Sequence, residues 1–296
     1  MQHNLPEIQG EYKFDFDLKN ISFFRVGGKC DIFFTPKNED DLINFLENKP
    51  DDLKITILGN MSNVLILDGG FRGCVINLKS MDNIEFYENN TAKVESGVIL
   101  SKFIKKSIDN NLSSCEKLYC IPGTIGGAIS MNAGIPNFEI SDVLVSIDCL
   151  DFKGNKKTIT KENLNMSYRN GNVPREALIT SCILKTFPGE KEKLDLIIKD
   201  IMLKRRSSQP IGQPTCGSTF KNPESLKAWQ LIKESGCDTL KFGGAIVSDI
   251  HCNFLINSGD AKASDFLELI KIIKEKVLKK TGVLLEEEVI IIGENL

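Results

Sequence analysis

Short apolar runs alternate with amphipathic stretches through the first 190 residues of the chain. Runs rich in β-branched and aromatic residues predict strands, and stretches in which apolar residues recur every three or four positions predict helices. The predicted strands cover residues 30–35, 54–58, 74–78, 92–96, 143–150 and 177–187, and the predicted helices cover 38–48 and 100–111. This mixture indicates an α+β fold, with two subdomains in residues 1–190.

The remainder begins with a helix predicted over 194–206 and a polar, proline-rich segment over 207–214. We interpret residues 191–214 as a helix and linker between two domains. Residues 215–296 form the second, smaller α+β domain. Their pattern predicts a helix over 226–234 and strands over 245–247 and 253–256. It then predicts a long helix capped by Ser264 and ended by Gly282, and a last strand over 283–293.

Three consecutive glutamates, Glu286 to Glu288, interrupt the apolar pattern of this last strand. Because side chains alternate between the two faces of a strand, we expect Glu287 on the face opposite Glu286 and Glu288. One reading places a carboxylate in the interior or in a cleft, where it needs a partner or a role. The other reading is an exposed edge strand with solvated glutamates. The sequence leaves both open.

Two segments offer main chain rather than side chains to a ligand. Residues 121–134 (IPGTIGGAISMNAG) hold four glycines, and Gly59 to Asn63 follow a predicted strand. Glycine-rich main chain can approach an anion such as a pyrophosphate and bind it with successive N–H groups, but each segment is also typical of a simple turn. The chain has neither G-x-G-x-x-G nor G-x-x-x-x-G-K-[ST], so neither a Rossmann nor a P-loop site is predicted.

Composition narrows the classes of function. The net charge of −3 gives no general attraction to nucleic acid or to anionic lipid. Nine cysteines without a C-x-x-C pair, together with only two histidines, His3 and His251, argue against a disulfide framework, a metal site and a His-based triad. The amino-terminal residues are polar and no apolar run is long enough to span a bilayer, so we expect a cytoplasmic protein that binds neither nucleic acid nor membranes.

Seven motifs, in order along nearly the whole chain, resemble those of the UDP-N-acetylenolpyruvoylglucosamine reductase (UDP-N-acetylmuramate dehydrogenase) family. They are FRVGG (24–28), LGxxSNxLxxDxGF (58–71), IPGTIGGAISMNAG (121–134), SYR (167–169), GSTFKNP (217–223), AIVSDIHCNFLIN (245–257) and GVLLEEEV (282–289). One motif would mean little, but seven in register across both predicted domains make the resemblance specific. Only 48 residues separate SYR from Ser218, which resembles the shorter class of the family that lacks an extra substrate-covering loop.

The resemblance implies a fold and two nucleotide ligands. The fold would be an FAD-binding module of the vanillyl-alcohol-oxidase (PCMH) type in residues 1–190, followed by an α+β substrate domain in residues 215–296. FAD would lie with its pyrophosphate on the main chain of the two glycine-rich turns, and NADPH would be the reducing co-substrate. The cofactor-binding residues carried over by position are Gly59, Asn60, Met61, Ser62, Asn63, Gly123, Thr124, Ile125, Gly126, Gly127 and Ala128, with Asn132, Ala133 and Gly134 near the flavin.

The reaction implied by the resemblance reduces UDP-N-acetylenolpyruvoylglucosamine to UDP-N-acetylmuramate for peptidoglycan synthesis. Hydride from N5 of the reduced flavin adds to one alkene carbon and leaves negative charge on the next carbon and its carboxylate, where a cation and an acid must meet it. The resemblance gives these roles to Arg169 and Glu288, and gives Ser218 the role of proton donor.

Three further residues of the motifs have weaker assignments. Asn222 is carried over as a contact of the UDP-sugar, and Lys221 as a contact of its diphosphate, although an exposed lysine explains Lys221 equally well. We interpret His251 as structural, because an imidazole in a packed segment usually satisfies its hydrogen bonds within the protein.

Two positions depart from the family pattern. Met61 stands where the family usually has glycine, so we expect its side chain to force a negative φ or to tilt the turn. Gly171 and Asn172 stand where the family often has a small hydroxyl residue after Arg169, so the support of Arg169 is expected to differ.

Two other functions are compatible with these residues. A flavin oxidase could use the same FAD module on another substrate, although it would not need GSTFKNP and LEEEV together. A catalytically silent nucleotide-binding relic would fit the departures at Met61 and at residues 170–172. For the reductase we expect a monomer whose partners are the UDP-sugar and NADPH.

Overall fold

The structure is a computed structural model that describes residues 5–296, so His3 lies outside the described residues. The chain forms two compact units, each built from three separate segments. Among the described residues, unit 1 comprises Leu5–Phe14, Ile32–Asn60 and Gly73–Leu203, and unit 2 comprises Asp15–Asp31, Met61–Arg72 and Lys204–Leu296. The units therefore differ from the continuous regions 1–190 and 215–296 that we predicted.

The described residues form eighteen strands and seven α-helices. The strands are β1 (Glu11–Asp17), β2 (Lys29–Thr35), β3 (Ile55–Ile57), β4 (Val64–Ile66), β5 (Phe71–Ile76), β6 (Ile84–Tyr87), β7 (Thr91–Glu95), β8 (Leu112–Ser113), β9 (Gly134–Ile135), β10 (Phe138–Glu139), β11 (Leu144–Asp151), β12 (Lys156–Thr160), β13 (Ala177–Lys185), β14 (Phe187–Pro188), β15 (Lys241–Phe242), β16 (Ala245–Val247), β17 (Leu255–Asn257) and β18 (Ile290–Ile292). The helices are α1 (Glu39–Asn48), α2 (Leu100–Asp109), α3 (Ile125–Ser130), α4 (Lys161–Leu164), α5 (Lys191–Ser208), α6 (Ala228–Glu234) and α7 (Ala263–Thr281).

The larger core of unit 1 lies beside an antiparallel sheet with strand order β12-β11-β13-β7-β6. Helix α2 supplies Phe103 and Ile104 to this core, and α3 supplies Ile125 and Ile129. The apolar residues of α2 recur at helical spacing, which gives the helix one face to bury. The short helix α3, which follows the glycine-rich turn, thereby packs in the same core as α2, beside this sheet.

A second core of unit 1 forms around Phe34 of β2 and Phe45 of α1, whose ring centroids lie 4.5 Å apart. Asn38 caps α1, because its side-chain oxygen accepts the N–H of Asp41 at 3.0 Å. The associated sheet has strand order β1-β2-β5-β3, and β3 runs parallel to β5. The turn that begins at Gly59 lies one residue beyond the end of β3.

Unit 2 packs α6 and α7 with a small antiparallel sheet of order β15-β16-β17, while β18 pairs in parallel with β4. Its core includes Phe24 and Phe266, whose ring centroids lie 4.4 Å apart. Asp68 caps α7, because its two carboxylate oxygens accept the N–H groups of Ala263 at 2.8 Å and Ser264 at 2.9 Å. Segments distant in sequence therefore build this unit jointly.

Three predicted boundaries need correction. The last strand is Ile290–Ile292 rather than 283–293, because the preceding glutamates make an isolated bridge to Phe220 instead of a continuous ladder. Helix α7 begins before Ser264, since the carboxylate of Asp68 caps it from outside the local sequence. Residues 207 and 208 belong to α5, so the linker is shorter than 207–214.

Across residues 5–296, none of the helices combines the length and the apolar character needed to cross a bilayer.

Candidate active site

The two glycine-rich turns meet in unit 1. A Cβ atom added to Gly59 would lie 2.6 Å from Oγ1 of Thr124, so only glycine allows this approach. Within residues 5–296, the main-chain N–H groups of Gly59, Asn60, Gly123 and Thr124 donate to no protein acceptor. Four such donors on two adjoining turns fit an anionic ligand such as a pyrophosphate.

Hydrogen bonds to the neighbouring strand region hold the second turn in place. Ile125 donates its N–H to the carbonyl of Val98 at 2.8 Å, and Gly126 donates to that of Ser96 at 3.0 Å. Oγ1 of Thr124 accepts the N–H of Gly127 at 3.2 Å and so caps α3. The side chains of Ile125 and Ala128 are buried, so these two predicted cofactor residues can offer only main chain to a ligand.

Asn132, a third predicted cofactor residue, uses its side chain within the protein. It is 1% exposed, and its Nδ2 donates to the carbonyl of Ser167 at 3.0 Å and to Oε2 of Glu139 at 2.6 Å. Ala133 and Gly134 are buried beside it. The side chain of Asn132 thus ties the segment that carries Arg169 to the end of α3.

The Arg169 segment is folded tightly against that end of α3. Arg169 itself has a φ of 56°, and its guanidinium lies 4.9 Å from the ring centroid of Tyr168. Gly171 donates its N–H to the carbonyl of Ser130 at 3.0 Å, and a Cβ atom added there would lie 2.1 Å from the carbonyl oxygen of Ile129. A side chain at residue 171 would therefore clash with the main chain of α3, and glycine avoids this clash.

The turn at Met61 belongs to unit 2 and corrects our expectation for that residue. Met61 has a φ of 50° and is 4% exposed, so its side chain is buried while the main chain takes the conformation that glycine would take. Asn63, two residues on, donates its Nδ2 to the carbonyl of Glu288 at 2.9 Å. Ser62 lies between them and is half-buried.

Ser218 and Glu288 lie on adjoining segments of unit 2. Thr219 accepts the N–H of Glu288 on its carbonyl at 2.8 Å, and the next residue, Phe220, bridges to Glu287. On its other side Ser218 bridges to Phe254. The structure thus brings Ser218 and Glu288 together within unit 2, whereas Arg169 lies in unit 1 beside the end of α3.

The three glutamates have three different environments. Glu286 is exposed and pairs with the ammonium of Lys221, and Glu287 is half-buried and pairs with Lys274 at 2.7 Å. Glu288 is half-buried. Neither sequence reading is complete, because Glu286 is exposed whereas Glu287 and Glu288 are half-buried.

Two other predicted residues have structural contacts. Asn222 accepts the N–H of Ala228 at 3.0 Å on its Oδ1, at the start of α6. His251 accepts the N–H of Asn253 at 3.3 Å on its Nδ1 and packs edge-on against Phe254. Burial lowers the pKa of His251, which favours the neutral imidazole that this contact requires.

Comparison with known proteins identifies relatives of nearly the whole chain. A family model described as "UDP-N-acetylenolpyruvoylglucosamine reductase, C-terminal domain" matches residues 209–292, and one described as "FAD binding domain" matches residues 30–160. The UDP-N-acetylenolpyruvoylglucosamine reductase of Rickettsia akari (strain Hartford) is 41% identical over 98% of this chain and 98% of its own. That of Rickettsia rickettsii (strain Sheila Smith) is 42% identical over 98% and 99%. The chain belongs to the UDP-N-acetylenolpyruvoylglucosamine reductase family.

Solved structures confirm the predicted fold class. The crystal structure of the family member from Thermus caldophilus superposes with a TM-score of 0.82 and 28% identity, covering 97% of this chain and 100% of that one. The 6-hydroxy-D-nicotine oxidase of Arthrobacter nicotinovorans shares the fold over 62% of this chain and 43% of its own, with a TM-score of 0.51 and 18% identity. The chain is therefore an FAD-dependent oxidoreductase with a PCMH-type module and a reductase-type C-terminal domain.

Sequence reasoning missed two residues that shape this site. The side chain of Asn253 bonds both the main-chain N–H and the carbonyl of Phe220. Asp68 caps α7. Both lie inside recognised motifs, but their partners are 33 and 195 residues away. The local pattern gives no signal for either contact.

Proposed function

We propose that the chain catalyses the NADPH-dependent reduction of UDP-N-acetylenolpyruvoylglucosamine to UDP-N-acetylmuramate, and that Arg169, Ser218 and Glu288 carry the chemistry. The observation that supports this most directly is the pairing of residues 219–221 with residues 286–289, in which the residue after the proposed proton donor Ser218 bonds the main chain of the proposed acidic residue Glu288. The match of the C-terminal domain favours this function over a flavin oxidase, which would share only the FAD module.

The free N–H groups of Gly59, Asn60, Gly123 and Thr124 would hold the FAD pyrophosphate. Bound FAD, once reduced by NADPH, supplies a hydride from its N5 atom. Met61, Ser62 and Asn63 follow the first turn directly, and Asn63 also holds the main chain of Glu288. A hydrogen bond within unit 2 thereby links the segment that follows the first turn to the main chain of Glu288.

The protein groups act on the charge that develops on the substrate. Its alkene is conjugated to a carboxylate, so addition of a hydride at one carbon places negative charge on the next carbon and on the carboxylate. The guanidinium of Arg169 and the carboxyl group of Glu288 stabilise this charge, and the hydroxyl of Ser218 donates a proton to the carbon. Lys221 and Asn222 contact the UDP part of the substrate. We further propose that the enzyme is a cytoplasmic monomer whose partners are the UDP-sugar and NADPH.

Replacement of Ser218 by alanine tests the mechanism. In anaerobic stopped-flow measurements, Ser218→Ala should still bind FAD and be reduced by NADPH at a rate within about twofold of wild type. Reoxidation by the enolpyruvyl substrate should slow by about 100-fold or more, because the proton donor is absent.

Ser207→Ala is the control, since Ser207 is an exposed helical serine whose hydroxyl donates to the carbonyl of Lys204 at 2.9 Å, within its own helix. Both of its half-reactions should match wild type. Equal slowing of the two half-reactions in Ser218→Ala would refute the proton-donor role. A protein that bleaches with NADPH and regains its colour with oxygen but not with substrate would be an oxidase. A purified protein without flavin would exclude both activities and support the silent relic.

A further inference from the structure

Asn253 makes three hydrogen bonds to the main chain of Thr219 and Phe220, the two residues that follow Ser218. Its Oδ1 accepts the N–H of Phe220 at 3.0 Å, and its Nδ2 donates to the carbonyl of the same residue at 2.9 Å. Its own carbonyl accepts the N–H of Thr219 at 2.7 Å. The side chain is 4% exposed, so these bonds form away from water, where loss of a partner leaves a buried polar group unsatisfied.

These three bonds act directly on the proposed catalytic pair. Thr219 follows Ser218 in the chain, and the carbonyl of Thr219 accepts the N–H of Glu288 at 2.8 Å. The position of the Thr219 peptide therefore sets the positions of both Ser218 and Glu288. Asn253 is the residue whose side chain and main chain together fix that peptide from the opposite side.

The hydroxyl of Ser218 depends on this main-chain support. Within residues 5–296, its Oγ makes no hydrogen bond to the protein, so no side chain orients it directly. A proton donor must lie within hydrogen-bond reach of the carbon it protonates, and a displacement of about 1 Å can lower a rate by about 100-fold. We propose that Asn253 is a positioning residue for proton transfer, acting through Ser218. This inference rests on the proposed role of Ser218.

Asn257 provides a closely matched control four residues along the chain. It is 5% exposed, its Nδ2 donates to the carbonyl of Phe24 at 2.9 Å, and its Oδ1 accepts the N–H of Gly259 at 2.8 Å. Asn253→Asp and Asn257→Asp each keep an acceptor oxygen and lose one buried N–H donor to a phenylalanine carbonyl. The two variants should therefore lose similar amounts of thermal stability, but only Asn253→Asp changes the support of Ser218.

The full-length holoenzyme is compared as wild type, Asn253→Asp, Asn257→Asp, Ser218→Ala and the double variant of Asn253 and Ser218. In Asn253→Asp, reduction of the flavin by NADPH should stay within about twofold of wild type, while reoxidation by the enolpyruvyl substrate slows by about 10- to 100-fold. Asn257→Asp should change neither half-reaction by more than about threefold. Reoxidation of the double variant should be no slower than that of Ser218→Ala, because no hydroxyl remains at residue 218 for Asn253 to position.

Three results would overturn the proposal. Equal slowing by Asn253→Asp and Asn257→Asp would assign both residues to stability alone. A further slowing in the double variant, multiplying the effects of the two single changes, would show that Asn253 does not act through Ser218. If Asn253→Asp does not fold, the neutral Asn253→Ser takes its place in the same comparison; if neither folds while Asn257→Asp does, Asn253 is required for folding and the positioning role is refuted. Normal reoxidation in Ser218→Ala would instead refute the proposed function.

Discussion

Several residues of the candidate site have a left-handed main-chain conformation without being glycine. Met61 has a φ of 50°, Asn132 of 42° and Arg169 of 56°. Asparagine tolerates this conformation, but a side chain such as that of methionine or arginine makes it unfavourable by about 1–2 kcal/mol. Such strain persists only where surrounding contacts impose it, and it is concentrated at functional sites. Here the contacts are the burial of Met61 and the docking of the Arg169 segment on α3.

Two opposing effects meet at Met61. Removing its buried side chain should destabilise the protein by about 2–5 kcal/mol, whereas glycine relieves about 1–2 kcal/mol of main-chain strain. We expect both Met61→Ala and Met61→Gly to be less stable than wild type, with Met61→Gly the more stable of the two by about 1 kcal/mol.

Urea unfolding of the two variants measures this difference. The sign of this difference tests whether the main chain is strained at residue 61. Within regular structure, a glycine variant is usually less stable than the alanine variant by about 0.5–1 kcal/mol, because glycine loses more conformational freedom on folding. Met61→Gly less stable than Met61→Ala would mean that the conformation is not strained.

At the scale of elements, α7 depends on a residue far away in the chain. Burial opposes the charge of Asp68, but the hydrogen bonds from Ser264 and Ala263 outweigh that effect and lower the pKa of its carboxyl. A carboxylate at a helix N-terminus also interacts favourably with the helix dipole. The ionised form of Asp68 therefore stabilises the folded state.

Asp68→Asn should lower the free energy of unfolding at pH 7 by about 0.5–2 kcal/mol. Because the folded pKa lies below the unfolded value of about 3.9, this stabilisation is complete above about pH 5 and is lost as the pH falls through the folded pKa. The difference between wild type and Asp68→Asn should thus be constant from pH 7 to about pH 5 and shrink below about pH 4.

Chemical unfolding at a series of pH values measures the Asp68 effect. Asp249→Asn, which alters an exposed carboxylate, should stay within about 0.5 kcal/mol of wild type throughout. A difference that persists undiminished at pH 3 would show that the charge of Asp68 is not responsible.

Sequence patterns correctly predicted elements whose apolar residues recur with a strong periodicity. They did not predict features that depend on contacts between residues distant in the sequence. The apolar spacing of α2 and the glycine at residue 282 that ends α7 were sufficient signals. The strand predicted over 283–293 is limited to β18 (Ile290–Ile292) in the structure. Residues 286–289 pair with residues 219–221 through individual hydrogen bonds and one isolated bridge, not through a continuous strand ladder. For the candidate site, Ser218 and Glu288 were predicted through motif resemblance. Asn253 was not, because its partner Phe220 cannot be inferred from neighbouring residues.

At the scale of the molecule, unit 2 is assembled from three segments that no local pattern joins. Residues 15–31 and 61–72 lie in this unit with residues 204–296. They contribute Phe24, Val26, Leu65 and Leu67 to its core. Strand β4 also provides the pairing partner of β18. The stretch that matches the C-terminal family model therefore lacks part of its own hydrophobic core and one strand of a sheet.

A fragment of residues 204–296 should consequently not fold by itself. Burial of each of the four missing side chains contributes about 1.5–3 kcal/mol, so their loss is comparable with the whole stability of a typical domain, about 5–15 kcal/mol. Phe266 would also lose the ring of Phe24 against which it packs. We expect weak helical circular dichroism, no cooperative thermal transition and poor dispersion of amide signals in a proton–nitrogen correlation spectrum.

The control for the fragment is a longer chain. Addition of residues 15–31 and 61–72, joined to the fragment by flexible glycine and serine linkers, should restore a cooperative transition, because it supplies the missing core and β4. A fragment of residues 204–296 that unfolds cooperatively without them would show that the C-terminal stretch is an independent domain. The four side chains would then be dispensable, and the continuous boundaries expected from the sequence would describe folding better than the contacts in unit 2 do.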